Sequence, residues 1–262
     1  MPALAIFTFP RFRPRLVPGV ADAGGFRARF PLMMRTACLL FLLAAAAAPG
    51  AEPKLPELTL TYAAQWRGFG LGDIVITLKR EGGADCYRYE SLTKPVGLVR
   101  MFYGKPRETS DFCVGDGRIV PRRFAFLNPK DEEASFSLEF DTGAGKVRDG
   151  RGAVRDIPPN AQDRFAIQQA VRLWVLAHLQ AEPGETVEFA MVDEHRVKNY
   201  RFAITGHEQV EVPAGRFNAL LVQRVDNPNR STKFWLAPER DYMPVMVEQS
   251  KNGATELRMT LK

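Results

Sequence analysis

The sequence predicts a mostly β protein, an antiparallel meander that curls into a barrel or half-barrel with one buried helix. Short runs of alternating apolar and polar residues follow one another from Leu58 onward, separated by turn-forming residues. Only one later stretch, residues 161–180, has the helical spacing of apolar side chains, and it has them on most of its sides. Twelve or more strands are too many for a flat sheet, which favours a curled one.

The first 51 residues have the composition of a leader. Residues 33–51 combine a basic start at Arg35, an apolar run and a small-residue exit, which are the parts of a secretory signal peptide. The run is short for a membrane span, which needs ~20 apolar residues, although an uncleaved anchor is the alternative. Residues 1–32 are rich in Arg and Pro, and we interpret them as an upstream extension from a start codon assigned too early. We therefore expect 52–262 to be a single β-rich domain in the periplasm.

The basic charge of the chain lies mainly in this leader. The whole chain carries 36 Lys and Arg against 30 Asp and Glu, a net charge of +6. Six of those basic residues and one acid fall within residues 1–51, which leaves 30 basic and 29 acidic residues in the remainder. An almost neutral domain gives no support to nucleic-acid binding, so we expect no nucleic-acid partner.

Two cysteines remain beyond the leader, Cys86 and Cys113. Each lies in a strand-like run, and an exported protein meets oxidising conditions, so a disulfide between them is the leading hypothesis. No second pair of Cys or His stands at metal-ligand spacing, so we expect no metal and no cofactor.

The strands follow from β-branched runs and from the turn residues between them. The predicted strands before the helix are 58–66, 74–79, 85–93, 106–114, 118–127 and 133–141. Those after it are 186–193, 197–205, 207–212, 216–226, 231–236, 243–250 and 254–261.

Helical spacing predicts that the helix covers residues 161–180. Asn160 is placed to cap it, and Asp163 lies where an acidic group favours a helix N-terminus. Glu182-Pro183-Gly184 would end it, because proline breaks the hydrogen-bond ladder and glycine accepts left-handed geometry. His178 lies on the same face as Trp174, so we expect a buried histidine with a hydrogen-bond partner.

Several fold motifs of the mature chain resemble the bacterial envelope family DUF3108, a domain of unknown function. They are Tyr62-Ala63-Ala64-Gln65-Trp66 with Gly70-Leu71-Gly72, Val212-Pro213-Ala214-Gly215-Arg216-Phe217, and Phe234-Trp235-Leu236-Ala237-Pro238 with Pro244-Val245. The resemblance implies a secreted, mostly β domain of Gram-negative envelopes. It brings no catalytic residues.

No catalytic motif stands out in the sequence. Gly-x-Ser-x-Gly and His-Glu-x-x-His are absent, and His195 and His207 lie in polar turns where we expect them to be solvated. The glycines at 68, 70 and 72 precede a strand rather than a helix, so they indicate a hairpin with a close neighbour and not a nucleotide site.

These observations favour an exported, non-enzymatic protein that binds a lipid or another hydrophobic molecule in a β-barrel cavity. The candidate cavity wall is Phe165 and Trp174, and the candidate lid is Leu98, Met101 and Phe102 in the apolar segment 95–104. A core strand is the alternative for that segment. Two rival functions stay open: an envelope module that binds a protein through a sheet edge or residues 95–104, and a hydrolase without a recognisable motif.

Overall fold

Fifteen strands of one sheet make up most of the protein. The computed structural model describes residues 55–83 and 85–262, with the backbone alone for Phe102 and Tyr103. The predicted leader segments, 1–32 and 33–51, lie outside the described residues.

The strands are β1 (Leu58–Trp66), β2 (Phe69–Arg80), β3 (Cys86–Pro95), β4 (Arg107–Gly115), β5 (Arg118–Leu127), β6 (Phe136–Asp141), β7 (Lys146–Asp149), β8 (Val154–Asp156), β9 (Ala161–Gln162), β10 (Thr186–Val192), β11 (Val197–Val212), β12 (Gly215–Arg224), β13 (Arg230–Ala237), β14 (Met243–Lys251) and β15 (Ala254–Leu261). The helices are α1 (Gly97–Tyr103) and α2 (Ala166–Ala177), with short 3-10 helices at Glu132–Ala134 and Pro238–Arg240. Among the described residues, neither α-helix is long and apolar enough to cross a bilayer.

The sheet is an open meander, and the strands that pair at its centre are the first and the last, β1 and β15. Its order is β8-β7-β6-β5-β4-β3-β2-β1-β15-β14-β13-β12-β11-β10-β9. Every pairing is antiparallel except the short parallel contact of β9 with β10. The two edge strands, β8 and β9, are consecutive in the chain. The sheet therefore curls until its edges lie near each other, but they do not pair. A mostly β half-barrel with a buried helix was the prediction, and it is confirmed.

Helix α2 lies within the curve of the sheet. Arg172 is buried and donates from Nε to the Asp241 carbonyl at 2.7 Å. Burial raises the pKa of Tyr62 on β1 and of Tyr89 on β3, and the charge of Arg172 partly opposes both rises. The ring of Phe165, just before α2, lies 4.8 Å from that of Tyr89, centroid to centroid. The inward face of α2 therefore meets strands from the middle of the sheet, and the helix fills the concave interior.

The predicted strands correspond to observed ones, although β2 begins at Phe69, five residues before its predicted start, and three further differences stand out. The short strands β7, β8 and β9 were not predicted, because two to four residues carry too little alternation. Strand β11 is continuous where two strands were predicted, and the pairing shift at Ile204–Gly206 absorbs the interruption as a bulge. Residues 97–103 form a short helix on which Leu98 and Met101 are exposed, so the core-strand alternative for residues 95–104 is wrong.

Helix α2 is shorter than the predicted range 161–180 at both ends. Ala161 pairs with Ala190 of β10, so the chain is still extended there, and Asn160 is not the cap. The Asp163 carboxylate accepts from the backbone N–H groups of Phe165 and Ala166 at 2.8 and 2.9 Å, which starts the helix after Asp163. The helix ends at Ala177, one residue before His178, which has non-helical dihedral angles.

The hairpin glycines and the cysteines behave as predicted. A Cβ on Gly72 would lie 2.2 Å from the Lys94 carbonyl oxygen of β3, the close neighbour that the hairpin interpretation requires. Cys86 and Cys113 face each other across β3 and β4 and form the disulfide.

We expect Gly72→Ala to destabilise the protein by about 2 kcal/mol or more, because the added methyl group must displace backbone and φ there is +125°. Gly70→Ala is the matched control, since a Cβ at Gly70 meets nothing within 4 Å and should change stability little. Urea unfolding measures both. Equal stability of the two variants would contradict the close approach of β2 and β3.

Replacing both cysteines by alanine should lower the free energy of unfolding by about 3–4 kcal/mol. The bridge closes a loop with a sequence separation of 27 residues, and its loss frees the unfolded chain. Native protein unfolded with reductant should match the double variant. Two free thiols in protein isolated without reductant would contradict the bridge.

Candidate functional site

A cleft of about 540 Å³ runs along the face of α2 that is turned away from the interior. Its floor is the helix, which presents residues at positions three and four apart, the spacing of one helix face. Its walls come from the start of β5 and from β10, which belong to opposite halves of the sheet. The lining residues are Gly117, Arg118, Ile119, Pro159, Asn160, Gln162, Ala170, Leu173, Trp174, Ala177, His178, Val187, Glu188 and Phe189.

The open sheet is the reason that this cleft exists. Strand β9 is only two residues long and pairs with β10, while β5 stands on the other side of α2. Between them, buried Leu173 and half-buried Trp174 of the helix line the cleft together with Phe189 of β10. Most of the lining is apolar, and it comes from β5, α2, β10 and the chain just before the helix.

One buried polar side chain lines this apolar cleft. Gln162 is 4% exposed, and its Nε2 donates to the Ile119 carbonyl of β5 at 2.9 Å. That bond fixes the orientation of the amide, because only the nitrogen can donate. The other end, Oε1, is buried and has no hydrogen-bond partner among the described residues. A buried acceptor without a partner costs free energy.

The rim of the cleft is polar. Arg118 is exposed at the start of β5, and the Asn160 amide donates to the Glu188 carbonyl at 3.2 Å. The side chain of His178 is 42% exposed, with Nδ1 at 2.7 Å from the Trp174 carbonyl and Nε2 at 3.5 Å from Glu185. The prediction of a buried His178 is wrong, because α2 ends at the residue before it. His195 and His207 are exposed as predicted.

A buried polar cluster holds the N-terminus of α2, directly after Gln162. Asp163 caps the helix and also accepts from the Ser110 hydroxyl of β4 at 2.8 Å. Arg164 donates to Glu108 of β4 at 3.1 Å and to Asp193, which follows β10, at 3.4 Å. All five side chains are buried. The cluster therefore joins both halves of the sheet to one helix start.

Burial dominates the electrostatics of this cluster. It raises the pKa of Asp163 to about 6, against the capping N–H groups, Ser110 and Arg164, which lower it. Burial likewise raises the pKa of Glu108, and the charge of Arg164 opposes this rise. The guanidinium group of Arg164 also lies 5.1–5.8 Å from the centres of three phenylalanine rings, those of Phe124, Phe126 and Phe136. Such contacts stabilise a buried cation and fix its position.

The buried cluster fixes the position of the start of α2. Ser110 is fully buried with its hydroxyl donated to Asp163, so it contributes to the helix cap. No group of three or more His, Cys, Asp or Glu in residues 55–83 and 85–262 is placed to hold a metal ion.

The structure separates the five residues proposed as cavity wall and lid. Trp174 lines the cleft, but Phe165 points into the interior against Tyr89 and Phe124. Leu98 and Met101 are exposed on α1, and the Phe102 side chain is outside the described part of the chain. Helix α1 precedes the start of β4, whereas the cleft lies beyond its end, roughly 25 Å away along a strand of this length.

Sequence reasoning missed the wall residues and Gln162. Ile119, Val187 and Phe189 are ordinary strand residues, and only the curl of the sheet brings them to α2. A signal for Gln162 was present in the two prolines at 158 and 159. They favour extended chain up to that point, which places the polar run 162–164 before the helix rather than on its surface.

We expect Asp163 to make stability depend on pH. Its folded pKa, about 6, exceeds its ordinary value of 3.8, so the native state holds the proton more tightly. The stabilisation is complete below about pH 4 and is lost as the pH rises through about 6. Asp163→Asn keeps a capping oxygen and should flatten part of this slope, Glu108 supplying the rest. Urea unfolding across this pH range measures the effect.

Asp163→Ala should instead cost about 2–4 kcal/mol at every pH, because it removes the cap and leaves Ser110 unpaired. A stability profile of Asp163→Asn with the full native slope would show that Asp163 is not the titrating group.

Three solved structures resemble this chain at low sequence identity. A β-barrel-like protein of the domain of unknown function DUF1849 from Brucella abortus has a TM-score of 0.52 and 12% identity, covering 80% of this chain and 97% of that one. A DUF1089 family protein from Pseudomonas aeruginosa has a TM-score of 0.37 and 13% identity, covering 69% and 90%. A Bacteroides fragilis protein with a YmcC-like fold has a TM-score of 0.37 and 12% identity, covering 80% and 95%. No curated protein matches the chain.

The sequence itself gives the assignment to a family. Residues 61–262 match the family described as "Protein of unknown function (DUF3108)", a range that starts within β1 and ends with the last residue after β15. The resemblance found in the turn and strand motifs is thereby confirmed. This protein belongs to the DUF3108 family.

Proposed function

We propose that this protein is an exported, non-enzymatic binding protein that holds a small hydrophobic or amphiphilic molecule in the cleft beside α2. The observation that carries the proposal is the cleft itself, an apolar groove with one buried, unpartnered acceptor, Gln162 Oε1. Ligand sites combine these two features, since apolar walls supply affinity and a few polar groups fix orientation.

The dimensions of the cleft suit a small molecule. Its volume of about 540 Å³ lies within the roughly 300–1,000 Å³ usual for ligand sites. Trp174 and Phe189 offer flat apolar surfaces, while the exposed Arg118 at the rim suits an acidic or polar head group. A fatty acid or a similar single-chain amphiphile combines the corresponding features.

The interior of the half-barrel is a poorer place for the ligand. The space between the inner face of α2 and strands β13 and β14 is only about 10 Å³, bounded by residues such as Arg172, Phe234 and Leu236. That is about the space of one water molecule. The outer face of the helix therefore replaces the barrel interior as the proposed binding surface.

Export is part of the proposal and rests on two supports. The disulfide of Cys86 and Cys113 is the kind of bond that persists in an oxidising compartment such as the periplasm. The signal peptide predicted for residues 33–51 would deliver the chain there.

Binding of the fluorescent fatty acid cis-parinaric acid tests the proposal. We expect it to bind with energy transfer from Trp174, and Trp174→Ala to weaken binding by about tenfold through loss of aromatic contact area. Ala177→Phe should block the cleft, because Ala177 is an exposed lining residue. Fluorescence titration measures both, and native mass spectrometry of exported protein shows any ligand retained.

Gln180→Phe is the matched control, since Gln180 is exposed on the same turn region but is not among the lining residues. It should bind the probe as the native protein does. Unaltered binding by a folded Ala177→Phe variant would refute the cleft as the site.

A further inference from the structure

Helix α1 presents apolar side chains to solvent. Leu98 is 73% exposed and Met101 64%, and Val96, just before the helix, is 55% exposed. Single exposed apolar residues are ordinary, but several on one short connection indicate a surface that meets something else. The cleft lies at the other end of β4, so this surface is separate from the proposed ligand site.

The β1–β2 hairpin extends the same surface. Phe69, the most exposed large apolar residue in the described part of the chain, is 77% exposed and lies two residues before Leu71. The Leu71 carbonyl accepts from the Val96 backbone N–H at 3.1 Å, and Gly72 pairs with Pro95. The hairpin and α1 therefore lie side by side at one end of the sheet. We call Phe69, Val96, Leu98 and Met101 the apolar tip.

Positive charge borders the apolar tip. Lys94, Arg100 and Lys105 are exposed, and residues 94–105 contain no acid. Asp73, which lies opposite Lys94 on β2, pairs with Lys262 at 2.9 Å, and Glu256 pairs with Arg67 at 2.8 Å. Residues 94–105 therefore present three exposed cations and no acid to an anionic surface.

The β5–β6 connection marks the limit of this basic surface. Lys130 donates to the Met101 carbonyl, so the connection touches the end of α1. It also carries exposed acids, Asp131, Glu132 and Glu133. Residues 94–105 are therefore the basic part of this end of the sheet, and the β5–β6 connection is its acidic part.

We infer that the apolar tip and its three cations dock this protein on a membrane that contains anionic lipid. Apolar side chains flanked by Lys and Arg suit such an interface, since the former enter the acyl boundary while the latter meet the head groups. A protein partner would need a complementary acidic and apolar surface. The lipid is favoured because these apolar side chains are 55–77% exposed beside three cations, and such side chains enter a fluid surface without a matching pocket.

Flotation with vesicles tests the docking. The purified native chain should bind vesicles of phosphatidylcholine mixed with phosphatidylglycerol and should bind pure phosphatidylcholine far less. Binding should weaken as salt is added, because exposed charges are screened. Leu98→Ser/Met101→Ser should lower binding by roughly tenfold or more, because two side chains lose their apolar transfer. Arg100→Glu/Lys105→Glu should lower it similarly on the anionic vesicles.

Matched controls are available elsewhere on the chain. Leu179, 50% exposed after α2, and Lys79, exposed at the opposite end of β2, should tolerate Leu179→Ser and Lys79→Glu with native vesicle binding. Circular dichroism checks that each variant is folded. The inference fails if the native protein ignores anionic vesicles, if Leu98→Ser/Met101→Ser binds like native, or if Leu179→Ser loses as much. It also fails if Leu98 and Met101 are needed only to bind an envelope protein without lipid.

Discussion

The ion pairs of Arg164 are the constraint on which the rest of the architecture depends. A sheet that curls without closing leaves two edges apart, and backbone pairing alone does not hold them at a set distance. Arg164 contacts Glu108 in one half and Asp193 in the other, while Asp163 beside it starts α2. A buried charge without such partners is costly, so the arginine stays only where both carboxylates stay. These ion pairs thereby connect the two halves of the sheet at the start of α2.

This constraint also explains why the candidate site is outside the interior. The helix occupies the concave space, with Arg172 and Phe165 directed toward the strands. The opposite face of α2 then lines the cleft between β5 and β10. The cleft therefore lies on the outer side of the helix.

The sequence predicted the fold well because its signals are local. The alternation of polar and apolar residues along a strand, as in residues 135–140, does not depend on the rest of the sheet. Two cysteines in neighbouring strands likewise predict a disulfide between them. The site was less accessible, because the contact of Gln162 with Ile119 depends on the curl of fifteen strands. The predicted helix ends were wrong for a related reason. Residues 161–164 have the spacing of a first helical turn, but residues 161 and 162 pair with β10 and Arg164 forms buried ion pairs. The segment 95–104 was ambiguous in periodicity, and only the structure shows that Val96, Leu98 and Met101 are exposed.

The union of β1 with β15 has a consequence for how the molecule acquires its structure. Tyr62 stands opposite Leu261, a pairing of residues about 200 positions apart in the centre of the sheet. Within β1–β8 and within β10–β15, neighbouring strands are consecutive in the chain, so each hairpin can form once its second strand is synthesised. The pairing of β1 with β15 can form only after β15 is synthesised. Until that final strand arrives, β1 has an unpaired edge in the middle of the future sheet, the kind of surface to which another chain readily adds. A chaperone that shields a nascent strand would be of greatest use to this protein at that moment.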